Sequence, residues 1–473
     1  MTKLPNINTN FSDWYNDVIY QAELVDNGPV RGTMVIRPYG WAIWEQIQAR
    51  LDKRIKETGH QNAAFPLFIP ESFLKKEASH IEGFAPELAV VTHAGGKQLE
   101  EPLVIRPTSE TIIHSMFAKW INSWRDLPLK LNQWANVVRW EMRPRPFLRT
   151  TEFYWHEGHT AHETEEEAHA EVLMMLNEFV DLVQNYLAIP VQTGIKSENE
   201  RFAGADKTYT LEAIMPDGKA LQMGTSHLLS QNFAKAFDIK FQDREENVKH
   251  PFLTSWCGAT TRLMGSWIMT HGDEKGLVIP PKIAPIQVVI IPIYKEGFID
   301  SVNQAAEKIS EDLKKHNVRV EIDSDQSKSP GSKFFKWELK GVPLRLEIGP
   351  KDLEKKQVVL TDRLTSTKQI LDIDTVADLI PSILDELQKE MFEKAKKRMI
   401  SNISEGEKLS DFGPKIDKES KAYKTGWCKS SECEKELKKY KATIRCLLDS
   451  KKFKECFNCD KPSQTDVLVA KSY

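Results

Sequence analysis

VVRWEMRPRPFLRTTEFYWHEGH, residues Val137 to His159, is the stretch from which the rest of the chain can be read. Apolar and β-branched residues stop at Pro144 and Pro146 and resume near Phe147, the pattern of two β-strands joined by a Pro-rich loop. Side chains two apart in a strand share a face. Arg139 then stands beside Glu141 on one strand, and Thr151, Phe153, Trp155, Glu157 and His159 form a row on the other. Carboxylates, an arginine and aromatic rings on one face make a poor core and a good floor for a ligand with charged and flat parts. A solvated face with two packed rings accounts for the stretch equally well, so its neighbours must decide.

Outward from this hairpin, 473 residues predict about three domains at roughly 150 residues each. A net charge of -3 excludes a global basic field, so any nucleic acid must meet local patches. Hydrophobic content of 40% and charged content of 28% are those of a soluble globular protein. There is no apolar run long enough to span a bilayer, and Met1–Val18 lacks a secretory h-region, so the expected compartment is the cytoplasm with no membrane partner. Cysteines there suggest metal or free thiols before disulfides.

Before the hairpin, Ile43, Trp44, Ile47, Leu51 and Ile55 predict a helix that ends at Gly59. Pro66 and Pro70 predict an edge or broken strand over Asn62–Ile69, as suited to a surface as to a dimer contact. Leu103–Arg106 reads as a strand, followed by a turn and a helix over Ile112–Ile121 that Thr108 or Ser109 can cap. After the hairpin, a helix is predicted over His162–Leu187 with Leu173, Leu176, Val180, Val183 and Leu187 as its buried stripe. Residues 196–205 read as a flexible charged loop. Thr208–Ala213 and Lys219–Met223 form a second hairpin, and Gly224-Thr225-Ser226-His227 opens a helix. A strand over Leu253–Gly258 leads to a helix with Arg262 in its first turn. A cation there opposes the helix dipole and calls for an anionic partner such as a phosphate.

A boundary is expected near Lys282, dividing residues 1–282 from an alternating α/β unit with a mixed sheet at 283–400. The tail of its last helix, KEMFEKAKKRM, reads as a charged connector. The remaining unit, 401–473, holds Cys428-x4-Cys433 and Cys456-x2-Cys459, a set that suits tetrahedral zinc as a structural site; unliganded thiols are the alternative. Cys446 is left over.

Taken together, these stretches resemble the class II prolyl-tRNA synthetases, in the archaeal/eukaryotic-like form with a C-terminal zinc-binding domain and no editing insertion. Arg37–Pro70 resembles the dimer-forming motif 1, with Pro66 as its interface proline. Val137–His159 is similar to motif 2 and Thr260–Pro281 to motif 3. RPTSE (106–110), FAGADKTYTLEA (202–213) and GTSHLLSQNF (224–233) are similar to stretches that line the family's active site. The resemblance implies an α+β fold: an antiparallel-sheet catalytic core, an α/β anticodon-binding domain and a small α/β zinc domain. It implies an enzyme that joins proline to ATP as prolyl-adenylate, releasing pyrophosphate, and passes proline to the 3′ end of tRNA(Pro). It also implies a homodimer.

By the same resemblance, Arg139 meets both the substrate carboxylate and the α-phosphate, and Arg262 covers the triphosphate from the other side; these are the catalytic pair. Glu141, Arg149, Thr150, Phe153, Gln222, Thr225 and Thr260 complete the ATP site, with Gln222 beside magnesium. Thr108, Glu110, Trp155, Glu157, His159 and His227 join Arg139 in the proline pocket, and Glu338, Arg345, Lys351 and Asp352 read anticodon bases. The C-terminal Tyr473 points back toward the active site. Ser255-Trp256-Cys257-Gly258 is one residue longer than the family's Ser-Trp-Gly, so Cys257 has no counterpart there. A catalytically silent tRNA-binding paralogue, or a class II synthetase for another amino acid, are the alternatives. The retained arginines speak against the first, and Thr108, Glu110 and His227 together against the second.

Overall fold

The computed structural model describes residues 3–74, 88–459 and 461–473. Helix α1 (Phe11–Gln21) and the long α2 (Pro38–Glu57) come first, and α2 buries Ile43, Trp44, Ile47, Leu51 and Ile55 as their spacing requires. Gly59 follows at φ +88°, a left-handed turn that glycine adopts without steric cost. The proline-bearing segment is broken, as its missing N–H donors dictate, into β1 (Gln61–Asn62) and β2 (Phe68–Pro70). β2 joins β3 (Ala89–Ala94) and β4 (Lys97–Ile105) in a small sheet, and α3 (Glu110–Trp120) follows.

The catalytic sheet is built from β5 (Leu129–Val138), β6 (Glu152–His162), β7 (Gln192–Ile195), β8 (Lys207–Ile214), β9 (Ala220–Ser230) and β10 (Phe252–Cys257). Between them lies α4 (Glu165–Asp181), and α5 (Arg262–His271) follows β10. The order is β7-β8-β9-β10-β6-β5-β1, antiparallel apart from the edge pair of β1 with β5. α4 lies across β6, β8, β9 and β10 on one face, with Met175, Leu176 and Phe179 in the largest core, and the opposite face is left open. Gly158 in β6 allows the close approach on the covered face: a Cβ there would fall 2.0 Å from the Trp256 ring.

The second unit contains β11 (Val288–Pro292), α6 (Ile299–Lys315), β12 (Val320–Ile322), α7 (Pro330–Leu339), β13 (Leu344–Ile348), β14 (Gln357–Asp362), β15 (Lys368–Asp372) and α8 (Val376–Ser401). Its sheet runs β12-β11-β13-β14-β15 and is mixed: β11 is parallel to β12 and β13, and β14 is antiparallel to both of its neighbours. Strand β15 was not expected from the sequence; KQILD alternates weakly and its residues are mostly exposed.

The last unit has β16 (Ile403–Glu405), α9 (Leu409–Glu419), β17 (Ala422–Trp427), α10 (Ser431–Lys435), β18 (Thr443–Leu448) and β19 (Thr465–Ala470). Its strands, in the order β16-β17-β19-β18, continue the catalytic sheet through one residue pair, Leu447 with Ile195. The described residues therefore form one eleven-stranded sheet across both units.

Several local expectations are corrected. Arg139 and Glu141 lie beyond the end of β5, in the loop rather than on the strand. The long helix begins at Glu165, where Thr164 accepts from the Glu167 amide, and it gives way to a π-turn at Leu182–Tyr186. His162 is therefore a buried strand residue, and Leu173 is exposed because the stripe follows Val172, Met175 and Phe179. Gly224–His227 sits inside β9 and opens no helix. The tail of α8 keeps an inward stripe, Met391, Ala395 and Met399, because residues four apart share a helix face even among lysines.

Candidate active site

The open face of the catalytic sheet floors a crevice of about 370 Å3. From β6 come Phe153, Trp155, Glu157 and His159, the alternate residues that a strand sends to one side. From β9 come Gln222, Thr225 and His227. Gln222 and Thr225 are three apart and would face opposite sides of a regular strand. A bulge resolves this: Glu212 pairs with Gln222 while its neighbour Leu211 pairs with Gly224, so Met223 is the extra residue and both side chains reach the crevice. Thr108 and Glu110 enter from the start of α3, Arg139, Glu141, Arg149 and Thr150 from the loop between β5 and β6, and Thr260 and Arg262 from the start of α5. The structure thus brings together every residue that the resemblance assigned to ATP or proline.

The crevice has two electrostatic ends. At one, the guanidinium of Arg139 donates from Nε to the Pro107 carbonyl at 3.1 Å and lies 5.5 and 5.4 Å from the Phe153 and Trp155 ring centres. Arg262 caps the other side, donating from Nε to the Leu148 carbonyl at 3.4 Å. Burial, then the nearby charges of Arg139 and Arg149, push Arg262 down to about 10. Three cations converging on a partly buried space repel one another, and a polyanion between them reverses that cost. Glu141 accepts from Arg149 at 3.3 Å, which holds that arginine over the entrance.

At the inner end, Thr108 donates to Glu110 at 2.5 Å. Glu157 Oε1 accepts from Ser109 Oγ at 2.5 Å and from Gln133 Nε2 at 2.7 Å, while its Oε2 accepts from the Ser109 amide at 3.2 Å and lies 3.2 Å from His159 Nε2. Burial alone would raise this carboxyl; the bonds from His159, Ser109 and Gln133 outweigh it and hold Glu157 below the usual carboxylate range. Ser109 is thus spent on Glu157 and does not cap α3 with its side chain. His227 accepts or donates at 3.0 Å to Thr208 and is pushed down to about 3 by burial. Cys257 ends β10 at the crevice wall, where burial pushes its thiol up to about 12, so it stays a neutral lining group.

Phe202 and Thr208 line the crevice within the 202–213 stretch that the resemblance placed at the active site, and Lys196 and Glu200 line it without having been singled out in the sequence. Phe202 packs on His227 with ring centres 4.6 Å apart. The loop that carries Lys196, Glu200 and Phe202 is tied to Glu434 of the C-terminal unit, a contact no local pattern announces. Tyr473 does not line the crevice; its ring lies under Arg145 and Lys219, at 5.4 and 5.0 Å, behind the motif 2 loop.

Buried neutral imidazoles make the fold acid-sensitive. Burial holds His156, His227 and His271 down to about 3 and His162 down to about 4. Unfolded histidine takes up its proton near pH ~6.5. Below that pH the unfolded chain binds more protons than the folded one, and stability falls until the folded-state values are reached. The expected loss is up to ~1.4 kcal/mol per pH unit for each histidine between about pH 6.5 and 4. Thermal midpoints at pH 7.5 and 5 measure it, and equal midpoints would refute it.

In the second unit, Glu338 and Arg345 line a cleft of about 220 Å3 with Trp337, Thr361 and Arg363. Lys351 and Asp352 lie outside that lining: Lys351 is exposed, and Asp352 accepts from the Gly349 amide at 2.9 Å, closing a helix start. In the last unit, the sulfurs of Cys428, Cys433, Cys456 and Cys459 lie within 4.8 Å of one another. Cys428 is 3.7 Å from Cys433 and 3.8 Å from Cys459, too long for disulfides. The edge of a tetrahedron with ~2.3 Å metal–sulfur bonds is about 3.8 Å, so the set fits zinc, with Cys446 apart from it.

An antiparallel sheet that floors such a crevice, joined to a mixed-sheet domain, defines a class II aminoacyl-tRNA synthetase. The sequence agrees, since residues 92–271 match the tRNA synthetase class II core domain (G, H, P, S and T) and 287–383 the anticodon binding domain. Residues 409–473 match the prolyl-tRNA synthetase C-terminal family. The proline--tRNA ligase 2 of Clostridioides difficile is 51% identical over 100% of this chain and 98% of its own, and the proline--tRNA ligase of Acetoanaerobium sticklandii is 51% identical over 99% and 98%. The crystal structure of prolyl-tRNA synthetase from Cryptosporidium parvum, complexed with halofuginone and AMPPNP, superimposes with a TM-score of 0.94 at 43% identity, covering 99% of each chain. The chain belongs to the prolyl-tRNA synthetase family.

Proposed function

We propose that this chain activates L-proline with ATP and charges tRNA(Pro), and that the observation carrying this reading is the crevice in which Arg139 and Arg262 face one space beside the Thr108–Glu110 acceptors. The proline carboxylate attacks the α-phosphate, pyrophosphate leaves, and the prolyl group then passes to the terminal adenosine of tRNA. Neither step needs a protein nucleophile; both need alignment and donors placed where negative charge grows. The Arg139 fork serves the carboxylate and the α-phosphate together. Arg262 and Arg149 hold the remaining phosphates, with Thr150, Thr225 and Thr260 supplying hydroxyls. Phe153 stacks on adenine, and Glu141 accepts from its amino group. Gln222 lines the crevice where it would stand beside a magnesium ion accompanying ATP, which would supply neutralisation of phosphate charge.

For proline, Glu110 and Thr108 accept from the secondary ammonium, which carries two N–H donors. Trp155 and His227 wall the ring, and the bonded Glu157–His159 pair keeps the floor rigid. In exchange of labelled pyrophosphate into ATP with a panel of amino acids, proline is the expected substrate. No exchange would favour a silent binder, and exchange with another amino acid a different specificity.

The chain divides into catalytic (1–282), anticodon-binding (283–400) and zinc-binding (401–473) domains, a division supported by a main core centred in each part, although the first core also takes in Ile283, Ala284 and Leu339 at the junction. The cleft around Glu338 and Arg345 suits unstacked bases, with Lys351 and Asp352 reading from its neighbourhood. The C-terminal family match and the four cysteines support the archaeal/eukaryotic-like form with structural zinc. The stretch between motifs 2 and 3 is filled by α4 and β7–β10, which supports a chain without an inserted editing domain. Exposed Phe68, Val90 and Trp120 beside the small sheet support a homodimer through motif 1. Among the described residues no helix is long and apolar enough to cross a membrane, and all six cysteines are unpaired, consistent with the cytoplasm. One zinc per chain is expected by elemental analysis, falling to near zero in Cys456→Ser; metal-free native protein would sink the zinc assignment.

A further inference from the structure

The loop 196–206 forms one wall of the crevice yet has little structure of its own. Lys196, Glu200 and Phe202 face the crevice, and Phe202 covers His227. Its two ends are held within the catalytic part, by Glu212 on Lys196 and by Asn232 on Gly204 and Asp206, but the segment between them is anchored from a different domain. Ser197 Oγ donates to Glu434 at 2.5 Å, and Asn199 Nδ2 donates to the other Glu434 oxygen at 2.7 Å and to Ser431 at 3.0 Å. Ser197 and Glu434 are 2% and 7% exposed, so the bond between them is made away from solvent, where an unmade partner is costly, while Asn199 adds its bonds from the surface. Glu434 follows Cys433 directly on the short α10, so its position is set by the four-cysteine cluster.

We propose that Glu434 is a positioning residue for amino-acid recognition: it clamps the 196–206 loop from behind, so the folded cysteine cluster sets the shape of the pocket that holds Phe202 against His227. This rests on the assignment of the crevice's inner end to proline. The nucleotide end is built on the motif 2 loop and the start of α5, which Glu434 does not touch. Loss of the clamp therefore acts on one substrate and not the other. The loop then samples other poses, and binding must first select the competent one, which raises KM without removing a reacting group.

The test is Glu434→Ala, with Ser197→Ala as a second variant that removes the same bond from the loop's side and leaves the cluster untouched. Amide hydrogen exchange across 196–206 in the substrate-free protein is expected to accelerate in both. In pyrophosphate exchange, KM for proline is expected to rise roughly tenfold, the size that follows from losing hydrogen bonds to a buried charge. KM for ATP and kcat stay within about twofold. Glu434→Gln keeps an acceptor and can turn its amide toward Ser197, so it recovers most of the effect. Unchanged exchange in the loop overturns the proposal, as do equal changes in both KM values. Should the wild-type chain show no proline-dependent activity, the reading of the crevice fails, while the substrate-free exchange measurement still decides whether the clamp exists.

Discussion

Arg139→Ala is expected to lower proline-dependent pyrophosphate exchange by at least about 10²–10³-fold, the loss seen when one preorganised donor to a developing oxyanion is removed. The arginine is held before any substrate arrives: its Nε is bonded to the Pro107 carbonyl, and its guanidinium sits against the Phe153 and Trp155 rings. No reorganisation is then needed when charge builds on the α-phosphate. Arg139→Lys is expected to recover little, because an ammonium cannot serve two oxyanions in one plane. The loss should fall on kcat and on kcat/KM for both substrates. Near-normal exchange by the alanine variant, with its melting behaviour intact, would remove Arg139 from the reaction.

The second large effect concerns the junction of the catalytic and C-terminal domains. Glu212 is fully buried on β8 and accepts from Lys196 at 2.6 Å, from Arg445 Nε and Nη2 at 3.0 Å each, and from Thr210 at 2.9 Å. Burial presses this carboxyl toward its neutral form, but Arg445 and Lys196 overcome it and hold it ionised. Glu212→Gln leaves two buried cations facing a neutral amide. Removing one partner of a buried ion pair costs about 3–5 kcal/mol, because the charge left behind has lost its hydration without compensation. Lys196 is already pressed down by burial, so part of the loss is recovered by its losing a proton. Stability of the variant should improve as pH rises toward the ordinary lysine range, because the unfolded chain still holds a proton there that the buried Lys196 gives up. Urea unfolding followed by tryptophan emission measures both effects. A change under about 1 kcal/mol would mean that this cluster does not join the domains.

Much of the crevice was legible because β-strands alternate. Phe153, Trp155, Glu157 and His159 share a face by arithmetic, and that arithmetic does not depend on what packs nearby. The α2 stripe was legible for the equivalent helical reason, and the paired cysteines because tetrahedral ligation constrains spacing within each pair. Positions where the backbone leaves its regular period were not legible in the same way. The extra residue at Met223 puts Gln222 and Thr225 on one face, whereas alternation alone separates them. Gly224–His227 reads as a helix start because glycine, threonine and serine favour turns, yet β8 and β10 on either side supply the hydrogen bonds that keep it extended.

The sequence by itself determined which residues face the crevice, the order of the domains and the family, since these depend on local period and on motifs a few residues long. Tertiary structure alone decided that residues 196–206 are a fixed wall, because Glu434, which accepts from Ser197 and Asn199, lies more than two hundred residues away. It alone decided that the C-terminal strands extend the catalytic sheet through Leu447 and Ile195. Buried charges and edge strands are satisfied by whatever the fold brings to them, and a linear reading sees only one side of each such contact.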